Sequence, residues 1–256
     1  MCRRSITPVL CLAVASFIAP VNVLKADTGY TGGKGTVARH VKHRTTEAGS
    51  GNISNAFAEE AAALYEQINL QELGLTKKAF AYALKGYYYL LNHHWLSRPG
   101  ILSICDLSQS SKNKRLYVVD LESRTVLINT YVAHGRNSGG EFAKFFSNNP
   151  SSHKTSLGFY VTQDTYYGNN GLSLKIRGLE KGINDKAVGR NIVIHGSEYV
   201  GPDFLRMNQC SGRSFGCPAI PADESQEIID QIKEGSCLFI YHPTKKYIGR
   251  SKILNS

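Results

Sequence analysis

Apolar residues recur at helical spacing twice near the start of the globular part of the chain. Phe57, Ala61, Leu64 and Ile68 form one stripe, and Phe80, Leu84, Tyr87 and Leu91 form a second behind Thr76, a good N-cap. Joined through "LGLT", they predict an amphipathic helical hairpin over residues 53–96. From Ile101 onward the period shortens to two. "LYVVDL" and "TVLINTYVA" flank "ESR" as a hairpin, and "LGFYVTQ", "LSLKIRG", "NIVIHG" and "SCLFIYH" follow. Within "LSLKIRG", Leu172, Leu174 and Ile176 alternate with Ser173, Lys175 and Arg177, the pattern of a strand with one wet face. One short helix separates the last two strands. Asp223 with Gln226 reads as its capping box, Ile228, Ile229 and Ile232 as its inner face, and Gly235 as its end. The pattern predicts a mainly β, mainly antiparallel body over residues 97–256 with a short packed helix, preceded by the N-terminal α-helical hairpin.

Ahead of the hairpin the pattern changes character. Arg3 and Arg4 precede an apolar run from Ile6 to Ile18, and small residues lead to Ala26. The run is shorter than the roughly 20 residues a bilayer-spanning helix needs, so residues 1–26 read as a cleaved secretory signal peptide, with an uncleaved anchor as the alternative. Cys11 follows Val9 and Leu10 and lacks the small residue of a lipoprotein signal. Residues 27–52, rich in Gly, Thr and basic side chains without apolar periodicity, read as a flexible linker. The expected location is outside the cytoplasm, in the periplasm or cell envelope.

Composition adds bounds to this pattern. The chain has 256 residues, 42% of them hydrophobic, enough for one domain-sized core. Its formal charge is +10, and removing residues 1–26 takes away Arg3, Arg4 and Lys25 and no acid, leaving +7. Such an excess attracts anions in general. An exported protein rarely meets nucleic acid, and no Lys/Arg cluster here is dense enough for a duplex groove. An anionic wall or outer-membrane surface is the expected partner.

Four cysteines follow the signal: Cys105, Cys210, Cys217 and Cys237. Two structural disulfides are one reading of them. Cys237, in "CLFIY", has the setting of a core residue, whereas Cys217, in "GRSFGCPAIP", is displayed between a glycine and a proline. A free thiol near pKa 8.5 is mostly protonated at neutral pH and needs a base to become a nucleophile. His195, ending "NIVIH" before Gly196, supplies one at a strand end. Gly216 lets a substrate carbonyl approach the backbone, where the amides of Gly216 and Cys217 are candidates to stabilise an oxyanion. Ser214 orients the loop or polarises the site. His134, in "VAHGRNSG", is a rival base. The chain has no C-x-x-C or H-x-x-x-H spacing, so neither a metal nor another cofactor is expected.

"IVIHG" followed by "SFGCPA" resembles the catalytic signature of the murein L,D-transpeptidases of the YkuD-like fold. The resemblance extends through "VAHGRNSG", "FFSNNPSSHKTSLGFYVT" and "YYGNNGLSLKIRGLEKGIND", over roughly residues 57–242. It implies a YkuD-like β-sandwich or barrel and an enzyme acting on peptidoglycan stem peptides. Cys217 would be the nucleophile, His195 the base, and Gly216 with Cys217 the oxyanion donors, while Ser214 matches the hydroxyl of the motif. Many members carry a second histidine where Phe215 stands, and an Arg or Asn where Ala219 stands. Arg190 and Arg213 are then the candidates for a stem carboxylate, Tyr199 for the pocket lining, and His134 for the substrate rim. Two alternatives stay open: an L,D-carboxypeptidase that trims stems with water, and a noncatalytic wall-binding module.

Overall fold

The computed structural model describes the backbone of residues 49–256 and the side chains of residues 55–256. The expected signal peptide and the linker as far as residue 48 lie outside the described residues.

Helix α1 (Gly49–Gln67) starts ahead of residue 53, and α2 (Lys77–Asn92) follows a turn closed by the Tyr65 hydroxyl donating to Leu75 O at 2.5 Å. Thr76 caps α2, its Oγ1 accepting from the Ala79 amide at 3.2 Å. The face carrying Phe80, Leu84, Tyr87 and Leu90 is buried. It shares one core with the sheet, so the hairpin's apolar stripe is covered by the β body.

Eight strands form one mixed sheet. They are β1 (Ile101–Asp106), β2 (Leu116–Asp120), β3 (Thr125–Thr130), β4 (Gly158–Gly168), β5 (Gly171–Gly178), β6 (Val193–Ser197), β7 (Ala219–Pro221) and β8 (Cys237–Tyr241). The spatial order is β3-β2-β1-β8-β4-β5-β6-β7. Most pairings are antiparallel, as the pattern predicts, but β1 runs parallel to β8 and β6 parallel to β7. Bulges interrupt β2–β3 at Val118/Val119 and β4–β5 between Thr162 and Thr165. Phe159 and Phe239 stack across the β4–β8 pair at 4.1 Å between ring centroids, in the middle of the core.

Three helices follow: α3 (Pro202–Met207), α4 (Ser225–Ile232) and α5 (Lys245–Ile248). Ile228, Ile229 and Ile232 are the buried face of α4, as their spacing predicts. The predicted Asp223 cap is absent: Glu224 holds the cap position without a side-chain bond, and Ser225 Oγ donates to Ala222 O at 2.7 Å. The parallel β6–β7 pairing bears on the position of the site. The β6–β7 pair aligns His195 with Ala219, which places the end of "NIVIH" beside the chain just after Cys217.

Candidate functional site

The loop carrying Cys217 lies between β6 and the segment that follows β3. The Ala133 amide donates to Ala219 O at 2.8 Å, Ser214 N to His134 O at 3.1 Å, and Arg136 N to Ser214 O at 2.8 Å. Within the loop, Ser214 Oγ donates to Cys217 O at 2.6 Å and accepts from Gly216 N at 3.0 Å. Both hydrogen-bonding directions of that hydroxyl are therefore used in closing the turn. Thr155 adds a second brace, its Oγ1 accepting from Gly135 N at 2.9 Å and donating to Gly216 O at 3.2 Å. Ser138 Oγ in turn accepts from Thr155 N at 2.9 Å.

Gly216 has φ +127°, and a Cβ there would stand 2.9 Å from Lys154 O. Only glycine fits both the backbone conformation and the approach. Its amide is engaged by Ser214, so in this arrangement it is not free to donate to an oxyanion, contrary to the sequence expectation.

Cys217 is half-buried, and its Sγ–H lies 3.7 Å from Asn191 O. Asn191 adopts a left-handed conformation (φ 53°) that ends the short turn 188–190. Burial pushes the Cys217 thiol above its ordinary pKa, while the Val193 amide and the Arg190 charge work against that shift. All four described cysteines are free thiols. Cys105 and Cys237 are buried in the core, and burial pushes Cys105 up to about 12. Cys217 is set apart from both by its partial exposure.

His195 is 5% exposed, and its Nδ1 lies 2.9 Å from the Gly196 carbonyl. A carbonyl only accepts, so Nδ1 carries the hydrogen and Nε2 presents a lone pair. That is the tautomer a general base needs, held by backbone with no carboxylate.

His134 has a different setting. Its side chain is 1% exposed, and its Nδ1 accepts from Arg115 Nη2 at 2.8 Å. Arg115 is itself fully buried and donates to Val132 O and Gln109 O. Burial first and the Arg115 charge second push His134 down to about 4. With Nδ1 filled by a donor, the hydrogen sits on the buried Nε2, so His134 offers no lone pair. The expectation that its side chain shapes a substrate rim is corrected: it braces the core behind the loop.

Arg190 is likewise corrected as a free carboxylate clamp. Its Nη1 donates to Ser147 O at 2.9 Å and Ser156 Oγ at 2.5 Å, and its Nη2 donates to Lys154 O at 2.7 Å. It straps the 147–156 segment under Gly216 and contributes positive charge near the thiol. Arg213 is exposed, with a single contact from Nη1 to Gly139 O at 3.3 Å. Tyr199 is half-buried and packs over Gly212 in the loop before the cysteine.

Phe215 is 63% exposed, with the Arg136 guanidinium 4.8 Å from its ring centroid and the His153 ring centroid 4.7 Å away. Sequence reasoning missed Thr155, Ser138, Asn191 and this Arg136–Phe215–His153 group. Arg136 and His153 do stand inside segments singled out as motifs, but nothing in their spacing pointed at Phe215. Among the described residues no cluster of three or more His, Cys, Asp or Glu side chains is arranged to hold a metal ion.

A family model for the L,D-transpeptidase catalytic domain matches residues 71–241, about two thirds of the chain. No curated protein matches it. Among solved structures, an L,D-transpeptidase from Mycobacterium smegmatis is 12% identical with a TM-score of 0.34, over 56% of this chain and 59% of that one. An L,D-transpeptidase from Mycobacterium tuberculosis H37Rv is 13% identical with a TM-score of 0.34, over 56% and 58%. One from Stackebrandtia nassauensis is 13% identical with a TM-score of 0.33, over 72% and 76%. The chain thus spans under two thirds of the two mycobacterial structures, and likenesses at these scores carry no weight for the chemistry.

Proposed function

The chain belongs to the L,D-transpeptidase catalytic domain family, and from that premise we propose that it is a peptidoglycan L,D-transpeptidase with Cys217 as nucleophile and His195 as general base. The observation carrying the proposal is a half-buried, free thiol in the loop before β7, next to a strand, β6, that holds a histidine whose Nδ1 is fixed on a backbone carbonyl. His195 Nε2 accepts the thiol proton as the sulfur attacks the amide after the L-centre of the third residue of a stem tetrapeptide. The tetrahedral oxyanion collapses to a thioester, and the proton passes from His195 to the leaving D-alanine nitrogen. An amine from a second stem then attacks the thioester, which forms the cross-link and restores the thiol. The Cys217 amide is the donor we assign to the oxyanion. Ser214 and Gly216 hold the loop, and exposed Arg213 with Tyr199 are the assigned contacts for the stem.

The same reading puts the working enzyme outside the cytoplasm, exported by residues 1–26, with stem peptides and an anionic wall or outer-membrane surface as partners. The proposed division is residues 27–52 as linker, 53–96 as hairpin and 97–256 as catalytic domain. Carbapenem labelling tests the site, because a strained lactam amide presents the same carbonyl to the thiol. One covalent adduct is expected on Cys217 by peptide mass mapping, and none on a folded Cys217→Ala variant. An adduct on another cysteine, or none on folded, reduced protein, would remove Cys217 from its role.

A further inference from the structure

A concave surface is lined in part by residues of the segment that braces the cysteine loop. It is a cavity of about 420 Å³ between residues 144–149, the entry to β4, the turn at 182–183 and the α5 region at 244–250. That volume lies within the range of small-ligand sites. Neither Cys217 nor His195 lines it.

Its chemistry is one-sided. Lys144, Lys154, Lys246 and Arg250 line it, and no carboxylate does. None of these four cations is in an ion pair among the described residues. The nearby carboxylates are already engaged. Asp185 accepts from Asn148 Nδ2 at 2.7 Å and Gly182 N at 2.8 Å, and buried Glu180 accepts from Tyr247 OH at 3.1 Å and Phe159 N at 2.9 Å. Scattered lysines on a basic protein repel weakly and call for no ligand. Four cations around one concavity with no internal counter-charge focus a positive potential into it.

The walls are held in place independently of any ligand. Arg190 fixes the carbonyls of Ser147 and Lys154, and Phe146 packs on His242 at 4.9 Å. Phe145 is 60% exposed, with Lys154 Nζ 5.6 Å from its ring centroid, so an apolar face borders the cationic one. Leu157 and Tyr247 form a buried floor.

We propose that this cavity is an anion-binding site, separate from the Cys217 site, for a ligand carrying two or more carboxylate or phosphate groups on an apolar or sugar body. The anionic groups meet Lys144, Lys246 and Arg250, and the body lies against Phe145. Lys154 joins the two sites: its side chain faces the cavity, and its carbonyl lies beneath Gly216. The proposal does not depend on the reaction assigned to Cys217.

Calorimetric titration of the protein with tricarballylate and, separately, with pyrophosphate at low ionic strength tests it, with amide chemical-shift mapping of each probe. At least one probe is expected to bind, to shift residues 144–149 and 244–250, and to weaken as salt rises. Binding of tricarballylate alone identifies a carboxylate ligand, and of pyrophosphate alone a phosphate one. A Lys246→Glu, Arg250→Glu double variant should bind at least about tenfold more weakly, a loss of about 1.4 kcal/mol. A Lys78→Glu, Arg124→Glu variant makes the same change in net charge at exposed positions outside the cavity lining and should bind as the parent does. Neither probe binding, shifts elsewhere, or equal weakening in both variants would overturn the proposal.

Discussion

A thiol whose hydrogen points at a backbone carbonyl and whose pKa is raised by burial is a neutral group at rest. This is the state of Cys217. Because its pKa stands above the ordinary value, the thiolate fraction is small at pH 7 and grows as pH rises. Iodoacetamide labelling of Cys217 in the free protein should therefore be slow at neutral pH and climb toward alkaline pH, with a midpoint above that of an exposed cysteine. A plateau already reached near pH 7 would mean a resting thiolate–imidazolium pair instead. Activation then falls to the base, and the two histidines should separate clearly. His195→Ala should lower the rate of acyl-enzyme formation by about 10²–10⁴-fold, the range of a general base. His134→Ala should cost stability before rate, since it removes one of the buried acceptors of Arg115 and leaves a gap in the core; the reverse order would make His134 the base. His195 and Cys217 stand out in the sequence because each adjoins a glycine, although His195 lies inside β6, which runs through Gly196 to Ser197, and not at a strand end as the sequence suggests. Arg190 was misread because a sequence does not reveal whether a guanidinium is already hydrogen-bonded. Thr155 was invisible for a related reason: its partner Gly216 is 61 residues away.

Elements follow the hydrophobic pattern wherever one face is wet. The two hairpin helices, β5 and the apolar face of α4 were readable for this reason. Strand β1 is buried along its whole length, as β8 is, but Ser103 breaks its apolar run where "CLFIY" is continuous, and β7 is three residues ending in Pro221. The two parallel pairings were hidden because partners in a parallel ladder are brought together by long connections rather than by turns. Contact between α2 and the sheet can be tested at one position. A Cβ at Gly86 would lie 1.9 Å from Phe159 Cζ, with the ring already stacked on Phe239. Gly86→Ala should therefore destabilise the fold by about 1–3 kcal/mol through overpacking, despite alanine's better helix propensity. Thermal unfolding monitored by circular dichroism measures this, and an unchanged or raised Tm would mean that α2 does not press on the sheet as described.

At the scale of the molecule, one core joins the helical hairpin to the eight-stranded sheet, and the proposed chemistry sits at one end of the strand order, on β6 and in the loop leading into the edge strand β7. The fold class was legible from the change of period near Ile101. The site's framework was not, because it is assembled from three segments far apart in sequence: 133–138, 152–156 and 190–195. The central claim concerns what this assembly does to a stem peptide, and the fate of a defined substrate tests it most directly. Incubating the protein with purified disaccharide-tetrapeptide and weighing the products by mass spectrometry separates the alternatives. Release of D-alanine together with a dimer lighter than two monomers by one alanine is expected, since an amine resolves the thioester. D-alanine with only tripeptide monomer would instead mean a carboxypeptidase, and unchanged substrate with folded protein and a reduced Cys217 would contradict the enzymatic account altogether.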